Sequence, residues 1–197
     1  MSARDDILQA VRRALAGTDA TSVPVPTGHR DRPATADVVE LFVERVADYR
    51  AVVERCSVDE VPDAIWSALP AGARVVLPPE SPWAVAGGTV DTGLSATELD
   101  GFDAVVTGAT VGIAETGTIV LTHGPGEGRR ALTLVPDLHV CVIRAGDVVA
   151  DVPAAIRLLD PLLAQTWISG PSATSDIELD RVEGVHGPRS LHVIVVG

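Results

Sequence analysis

The chain begins with a helical pattern of apolar residues. Within residues 2–15, apolar side chains recur every three or four positions, which is the spacing of one face of an α-helix. Ser2 is a good capping residue, and Asp5 and Asp6 suit the positive end of the helix dipole. We therefore predict an amphipathic helix that ends at Gly17. Its apolar stripe consists of Ile7, Leu8, Val11 and Leu15.

The rest of the first third is predicted to be helical after an extended linker. Residues 18–35 contain three prolines and no apolar periodicity, which is typical of a linker. Helical spacing returns over residues 37–55 and, more briefly, over 58–69. We therefore assign residues 1–72 to an N-terminal helical segment that packs on the core or extends from it.

From residue 73 onwards, short continuous apolar runs replace the helical spacing. Such runs are typical of strands that are buried on both faces. The predicted strands cover residues 74–77, 104–107, 111–114, 118–121, 139–143, 148–149, 166–169 and 191–196. A helix is predicted over 154–163. This alternation predicts an α/β core over residues 73–197, a sheet flanked by helices, with ligands bound where loops leave the strand ends.

Composition and charge exclude several classes of function. The chain has 197 residues, of which 46% are hydrophobic, so it can bury a core of its own. The net charge of −12 argues against nucleic acid as a partner, because phosphate binding requires a basic face. All 15 basic residues are arginines, and the absence of lysine rules out a Schiff base.

The two cysteines predict neither a zinc site nor an iron–sulfur cluster. Cys56 and Cys141 lie far apart, and neither belongs to a C-x-x-C pair. We expect both to be reduced and structural. No run approaches the roughly 20 apolar residues that span a bilayer, and the N-terminus has no apolar signal core. We therefore expect a cytoplasmic protein without membrane segments.

The strongest catalytic candidate is Glu115, which stands between two predicted strands. Apolar and small neighbours should remove its carboxylate from solvent and fit it for proton transfer or nucleophilic attack. The alternative is a strand-end glutamate in a turn that accepts backbone N–H groups. Thr116 and Thr118 are candidate hydroxyl donors to a ligand, although threonine is common beside strands. Gly117 is expected to serve the backbone through a positive φ or a close approach.

Two adjacent arginines are candidates for binding an anion. Arg129 and Arg130 follow the glycine-rich loop 124–128, which we expect to be flexible enough to close over a ligand. One guanidinium group would bind a carboxylate or phosphate through two hydrogen bonds. The alternative is a solvated pair that caps the next element. We expect at most one of the two to point into a site.

A second polar segment lies near the C-terminus. Residues 169–178 follow a predicted strand and combine small residues with hydroxyl groups, an arrangement that can bind an anion. Ser172, Thr174 and Asp176 are its candidate ligand-binding residues. The alternative is that these side chains cap a turn.

His186 is the candidate for a second catalytic group. It lies between glycine-containing turns, where an imidazole is accessible and can exchange protons near neutral pH. A single loop histidine is more often incidental, so this assignment needs support from the surrounding motif. We rank His123, at the start of the glycine-rich loop, second among the histidines. His139 and His192 fall within strand patterns.

These segments together resemble the LUD-domain family, in particular its lactate-utilization protein C type. The similarity covers residues 73–197 in order and spacing. The matching residues are Ile113-Ala114-Glu115-Thr116-Gly117-Thr118, Arg129-Arg130, Val135-Pro136-x-x-His139-Val140, Ser169-Gly170-Pro171-Ser172-x-x-x-Asp176-Ile177-Glu178 and Gly184-Val185-His186-Gly187-Pro188. The resemblance implies a NagB/RpiA/CoA-transferase-like α/β fold with an N-terminal helical extension.

The resemblance also implies a function. It predicts a non-redox subunit for the oxidation of L-lactate to pyruvate, which binds a small anionic ligand and acts with partner proteins that carry the iron–sulfur clusters. No cofactor is then expected on this chain. An arginine would hold the carboxylate, and Glu115 or His186 would handle a proton. This requires the two glycine-containing segments to face each other across one cleft.

Two other interpretations remain open. In CoA-transferase relatives of the fold, a glutamate next to a glycine is the nucleophile, and Glu115 could occupy a similar place. The chain would then be a stand-alone acyl or CoA transferase, or an ATP-dependent ligase-like enzyme. In the third interpretation the chain is a non-catalytic scaffold.

Overall fold

The computed structural model of the chain describes residues 2–17, 37–171 and 187–197. The chain divides into two compact units, Met1–Asp31 and Arg32–Gly197. No helix in the described ranges is both long enough and apolar enough to cross a membrane. The first unit contains one described helix, and the second contains the sheet core.

The first unit confirms the predicted N-terminal helix. Helix α1 spans Ala3–Leu15, and Ser2 caps it: the Ser2 hydroxyl accepts from the Asp5 backbone N–H at 3.3 Å, while the Asp5 carboxylate accepts from the Ser2 N–H at 3.1 Å. Gly17, at φ +97°, follows its end. All four residues of the predicted apolar stripe are exposed. The predicted linker, 18–35, lies outside the described residues.

The second unit contains the strands and the remaining helices of the described chain. The strands are β1 (Val52–Cys56), β2 (Val75–Leu77), β3 (Thr89–Val90), β4 (Ala104–Gly108), β5 (Val111–Ile113), β6 (Thr118–Leu121), β7 (Leu138–Arg144), β8 (Val148–Val149), β9 (Thr166–Ile168) and β10 (Ser190–Val196). The helices are α2 (Val38–Asp48), α3 (Val61–Ala68), α4 (Ala96–Leu99) and α5 (Val152–Leu158), with 3₁₀ turns at Val58–Glu60, Arg130–Thr133 and Ala145–Asp147.

A six-stranded parallel sheet in the order β1-β10-β7-β4-β2-β3 forms the centre of this unit. Alternate residues of its strands point to opposite faces. In β7, Val140 and Val142 pack in the hydrophobic cluster that includes Ile65 of α3, whereas Cys141 and Ile143 pack with residues of α2 and the second sheet. The sheet is therefore buried on both faces, and the predicted α/β fold is confirmed.

A second, four-stranded sheet in the order β8-β5-β6-β9 covers part of one face of the first. Ile119 and Leu121 of β6 point inward to the cluster that contains Phe42 of α2. Val120 points outward, where Ala155 of α5 packs against it. Because β5 and β6 form an antiparallel hairpin, the segment that carries Glu115 is the turn between them.

Two predicted helices end earlier than expected. The helix predicted over 37–55 stops at Asp48, because Arg50 adopts φ +64° and the following residues form strand β1 in parallel with β10. Part of the segment 1–72 therefore belongs to the main sheet. The helix predicted over 154–163 stops at Leu158, and Leu159 is extended two residues before a proline.

Gly117 in the turn between β5 and β6 packs directly against α2. Its φ is +58°, which side chains other than glycine rarely adopt. A Cβ atom there would lie 2.6 Å from the carbonyl carbon of Arg45 and 2.8 Å from the nitrogen of Val46. Both the positive φ and the close approach expected for this glycine are confirmed.

We expect Gly117→Ala to lower the free energy of unfolding by at least about 2 kcal/mol, since it adds a backbone clash to an unfavourable φ. Urea denaturation followed by circular dichroism measures this change. The matched control is Gly146→Ala, because a Cβ atom at Gly146 meets nothing within 4 Å. The control should change stability by less than about 0.5 kcal/mol. Equal effects of the two substitutions would contradict this packing.

Candidate functional site

Glu115 lies in the exposed turn between β5 and β6. Its backbone N–H donates to the carbonyl oxygen of Ala150 at 3.0 Å, which fixes the turn. The side chain is exposed to solvent, so the expectation that its carboxylate is desolvated is wrong. The reason is that its neighbours Ile113 and Ala114 are buried within the molecule, while the turn itself points outward. The catalytic role of Glu115 stays a prediction.

Three hydroxyl groups connect this turn with the C-terminal polar segment. The Oγ1 atoms of Thr116 and Thr118 lie 2.7 Å apart, and Oγ1 of Thr118 lies 2.8 Å from Oγ of Ser169. Thr118 is buried, with 4% of its surface exposed. The two segments therefore meet at Thr118 and Ser169, while the shared cleft expected between Glu115 and His186 stays a prediction because His186 lies outside the described residues.

Several predicted site residues fall outside the described part of the chain. They are Ser172, Thr174, Asp176 and His186. Their roles stay predictions. The described residues Pro171 and Gly187, which flank these positions in the sequence, both line one pocket.

Arg129 forms an ion pair within the protein. Its Nε and Nη2 atoms donate to the two carboxylate oxygens of Asp91 at 2.7 and 3.0 Å. Asp91 is 5% exposed and also accepts from the backbone N–H groups of Gly93 and Leu94. The hydrogen bond from Arg129 is the main cause that lowers the pKa of Asp91, while burial opposes it. This geometry favours a structural role for Arg129.

The glycine-rich loop before Arg129 is anchored at several points. Buried Glu127 accepts from the backbone N–H of Thr122 at 2.6 Å. His123 Nδ1 donates to the carbonyl oxygen of Gly128 at 2.8 Å, and Nε2 lies 2.9 Å from the Thr166 hydroxyl oxygen. These bonds, together with burial of the loop's last three residues, oppose the expected flexibility.

Arg130 takes a different direction from its neighbour. It begins the 3₁₀ turn Arg130–Thr133, and its Nη1 atom donates to the carbonyl oxygen and the hydroxyl of Thr133 at 3.0 and 2.8 Å. The side chain is half-buried, and burial lowers the pKa of its guanidinium group below its usual value. Among the described residues, no carboxylate lies within ion-pair distance of Arg130.

Arg130 lines a small pocket between the two sheets. The cavity has a volume of about 60 Å³, about twice the ~30 Å³ that one water molecule occupies in the liquid. It lies between the 3₁₀ turn, the starts of β7 and β10 and the end of β9. Among the described lining residues are Arg130, Thr133, His139, Ser169, Gly187 and Leu191.

His139 is the buried ionisable group of this pocket, and its place in a strand pattern did not by itself predict a role in a site. It is 1% exposed, and its Nε2 atom lies 2.7 Å from Oγ1 of Thr107 on the neighbouring strand β4. Burial, and after it the charge of Arg130, lowers the pKa of His139 from 6.5 to about 4. The imidazole is therefore neutral at pH 7. One sequence signal did point to a role for His139: it belongs to the motif Val135-Pro136-x-x-His139-Val140, which follows the two arginines and resembles the LUD-domain family.

The pocket combines groups that suit a small carboxylate. Arg130 supplies a positive charge with several donors, Thr133 and Ser169 supply hydroxyl groups, and His139 supplies a neutral ring that can donate or accept. Within the described ranges, no three His, Cys, Asp or Glu side chains are placed to hold a metal ion together.

His139 should make the protein less stable in mild acid. The unfolded chain binds this proton near pH 6.5 and the folded chain only near pH 4. The contribution of His139 to the free energy of unfolding is therefore fully present above pH 6.5 and is lost as the pH falls towards 4. Between about pH 7.5 and about pH 5.5, this group should remove about 1.4 kcal/mol from the free energy of unfolding.

His139→Gln should abolish this part of the pH dependence while retaining an amide that can bond to Thr107. Urea denaturation at both pH values measures the difference, and His139→Asn guards against an effect specific to glutamine. If both variants keep the pH dependence of the wild type, the neutral buried state assigned to His139 is incorrect.

Comparison with known proteins places the chain in a family. Residues 95–196 match the family model described as the LUD domain. Lactate utilization protein C of Deinococcus radiodurans is 44% identical, and the alignment covers 99% of this chain and 96% of that protein. Lactate utilization protein C of Shouchella clausii is 35% identical over 48% of this chain and 44% of its own length.

A solved structure is similar as well. The crystal structure of a DUF162 family protein from Deinococcus radiodurans superposes with a TM-score of 0.69 and 41% identity, covering 82% of this chain and 98% of that chain. The family match includes Arg130, His139 and Ser169 of the pocket and spans more than half of the sequence. The chain therefore belongs to the LUD domain family.

Proposed function

We propose that this chain is a non-redox subunit of a cytoplasmic L-lactate oxidation system and that it binds a small carboxylate, lactate or pyruvate, beside Arg130. The observation that carries the proposal is the pocket itself, where a half-buried guanidinium group has no acidic partner among the described residues. The names of the relatives from Deinococcus radiodurans and Shouchella clausii support the assignment to lactate utilization.

The number and environment of the cysteines support the proposal that the iron–sulfur clusters are carried by partner proteins. A four-iron or two-iron cluster is held by four thiolates, whereas the whole chain has two cysteines. Burial raises the pKa of the Cys141 thiol to about 12, and burial is also the main cause that raises the pKa of Cys56. A thiol that holds its proton is a poor metal ligand. We therefore assign the electron-carrying groups to partner proteins.

Binding at Arg130 is the step that the pocket geometry supports most directly. The carboxylate would accept hydrogen bonds from the guanidinium edge that Thr133 leaves open, and Ser169 lies on the same cavity. His139 lines the same cavity, so its ring can bond to the oxygen atom on the neighbouring carbon of a lactate or pyruvate. A role of Glu115 as the nucleophile of a transferase gains no support from its exposed position.

We expect Arg130→Gln to weaken the binding of pyruvate and L-lactate at least about tenfold, because a hydrogen bond to a charged group contributes about 1.5–3 kcal/mol. Isothermal titration calorimetry with the sodium salts measures the affinities. The control is Arg144→Gln, which removes an exposed arginine at the far end of β7 and should leave the affinity unchanged. Unchanged affinity in Arg130→Gln would contradict the assignment, and absence of binding to the wild type would favour the scaffold interpretation.

The place in a lactate-oxidising system has its own test. The chain is expressed with its iron–sulfur partner proteins, and lactate-dependent reduction of an artificial electron acceptor is compared with and without the chain. We expect the chain to co-purify with these proteins and the reduction rate to fall to background when it is left out. Full activity of the partners alone would show that the chain is not a subunit of the system.

A further inference from the structure

The hydrogen bond between Thr107 and His139 is a buried polar contact on an apolar sheet face. Thr107 is fully buried and His139 is 1% exposed. Both side chains point to the same face of the parallel sheet as Val105 and Ile143, because β4 and β7 are in register with Val105 opposite His139. Two apolar side chains of similar size would usually pack there at no loss of stability. The pair is therefore not explained by the needs of the fold.

Few charged groups surround His139. The 3₁₀ turn contributes Arg130, which acts on the ring electrostatically. Strand β4 contributes the uncharged Thr107, and β7 itself contributes Cys141, whose thiol keeps its proton. The other sides of the pocket contribute Ser169, which follows β9, Leu191 of β10 and Gly187, and none of these side chains is ionisable. Within the described ranges, Arg130 is thus the one charge that opposes a proton on this ring.

A bound carboxylate would offset the charge of Arg130, which is the smaller of the two causes of the low pKa of His139, while burial remains. Its negative charge would lie in the cavity that Arg130 and His139 both line, so it would offset the guanidinium charge and favour an imidazolium ring. Thr107 fits both states of the ring, because its hydroxyl can donate to a bare Nε2 and accept from a protonated one. The hydrogen bond of 2.7 Å can therefore persist when the ring gains a proton.

We propose that His139, positioned by Thr107, takes up a proton from solvent when a carboxylate occupies the pocket beside Arg130. The proton moves from the solvent buffer to a ring nitrogen, and no other bond is made or broken. By linkage, a ligand that raises proton affinity is itself bound more tightly as the pH falls. This inference rests on the proposed function, since it uses the same pocket, and it adds Thr107 as a positioning residue.

Calorimetry in two buffers tests the inference. Pyruvate is titrated into the full-length protein in bis-Tris and in imidazole, whose ionisation enthalpies differ; phosphate is avoided because it could compete for the pocket. The difference in observed heat gives the number of protons bound per ligand. We expect a positive number that is larger at about pH 5.5 than at about pH 7.5. Affinity should rise along with it.

Substitutions at His139 and Thr107 test whether this pair of residues is responsible for the proton uptake. His139→Gln should bind pyruvate with no proton uptake. Thr107→Val should fold, because valine suits a buried strand, and should reduce the uptake by leaving an imidazolium N–H without its acceptor. Thr107→Ser keeps the hydroxyl and should restore it. Uptake in Thr107→Val equal to that of the wild type would overturn the positioning role.

The outcomes also separate this inference from the proposed function. Pyruvate binding that depends on Arg130 but releases or takes up no proton at any pH overturns the inference and leaves the carboxylate site standing. Proton uptake that persists in His139→Gln overturns it as well. Failure of the wild type to bind pyruvate or L-lactate overturns the carboxylate site and the inference together.

Discussion

Burial of the parallel sheet on both faces is the constraint on which the rest of the molecule depends. The strands β10, β7 and β4 lie at the centre of the sheet, and alternate side chains of β7 pack on α3 on one side and on α2 on the other. A polar side chain in such a position must have a hydrogen-bond partner, because water cannot reach it. His139 and Thr107 satisfy each other, and this places an ionisable ring at the inner wall of a pocket.

The loop that carries the two adjacent arginines directs their side chains to different places. Arg129 turns towards the carboxyl ends of β2 and β3 and holds the buried carboxylate of Asp91. Arg130 starts a 3₁₀ turn that crosses the sheet face towards the start of β7 and reaches the pocket. The ion pair between Arg129 and Asp91 holds the loop in place next to Arg130. A ligand therefore meets a guanidinium group whose backbone is already anchored.

The strands were predictable because continuous runs of β-branched residues favour the extended conformation whatever they pack against. Strand β1 was missed because the apolar spacing of α2 continues through Val53, and only the pairing with β10 decides its conformation. The site was harder to predict. Thr107 and His139 are 32 residues apart, and their contact follows from strand order and register, which local patterns do not contain. The exposure of Glu115 likewise follows from the outward direction of a turn.

A crystal structure of the protein with pyruvate at saturating concentration tests the central claim most directly. The account predicts density for the ligand in the pocket between the two sheets, with its carboxylate within about 3 Å of the Arg130 guanidinium and its keto oxygen towards His139. Ligand bound elsewhere, for example beside Glu115 or the ion pair of Arg129 and Asp91, with this pocket empty, would contradict it.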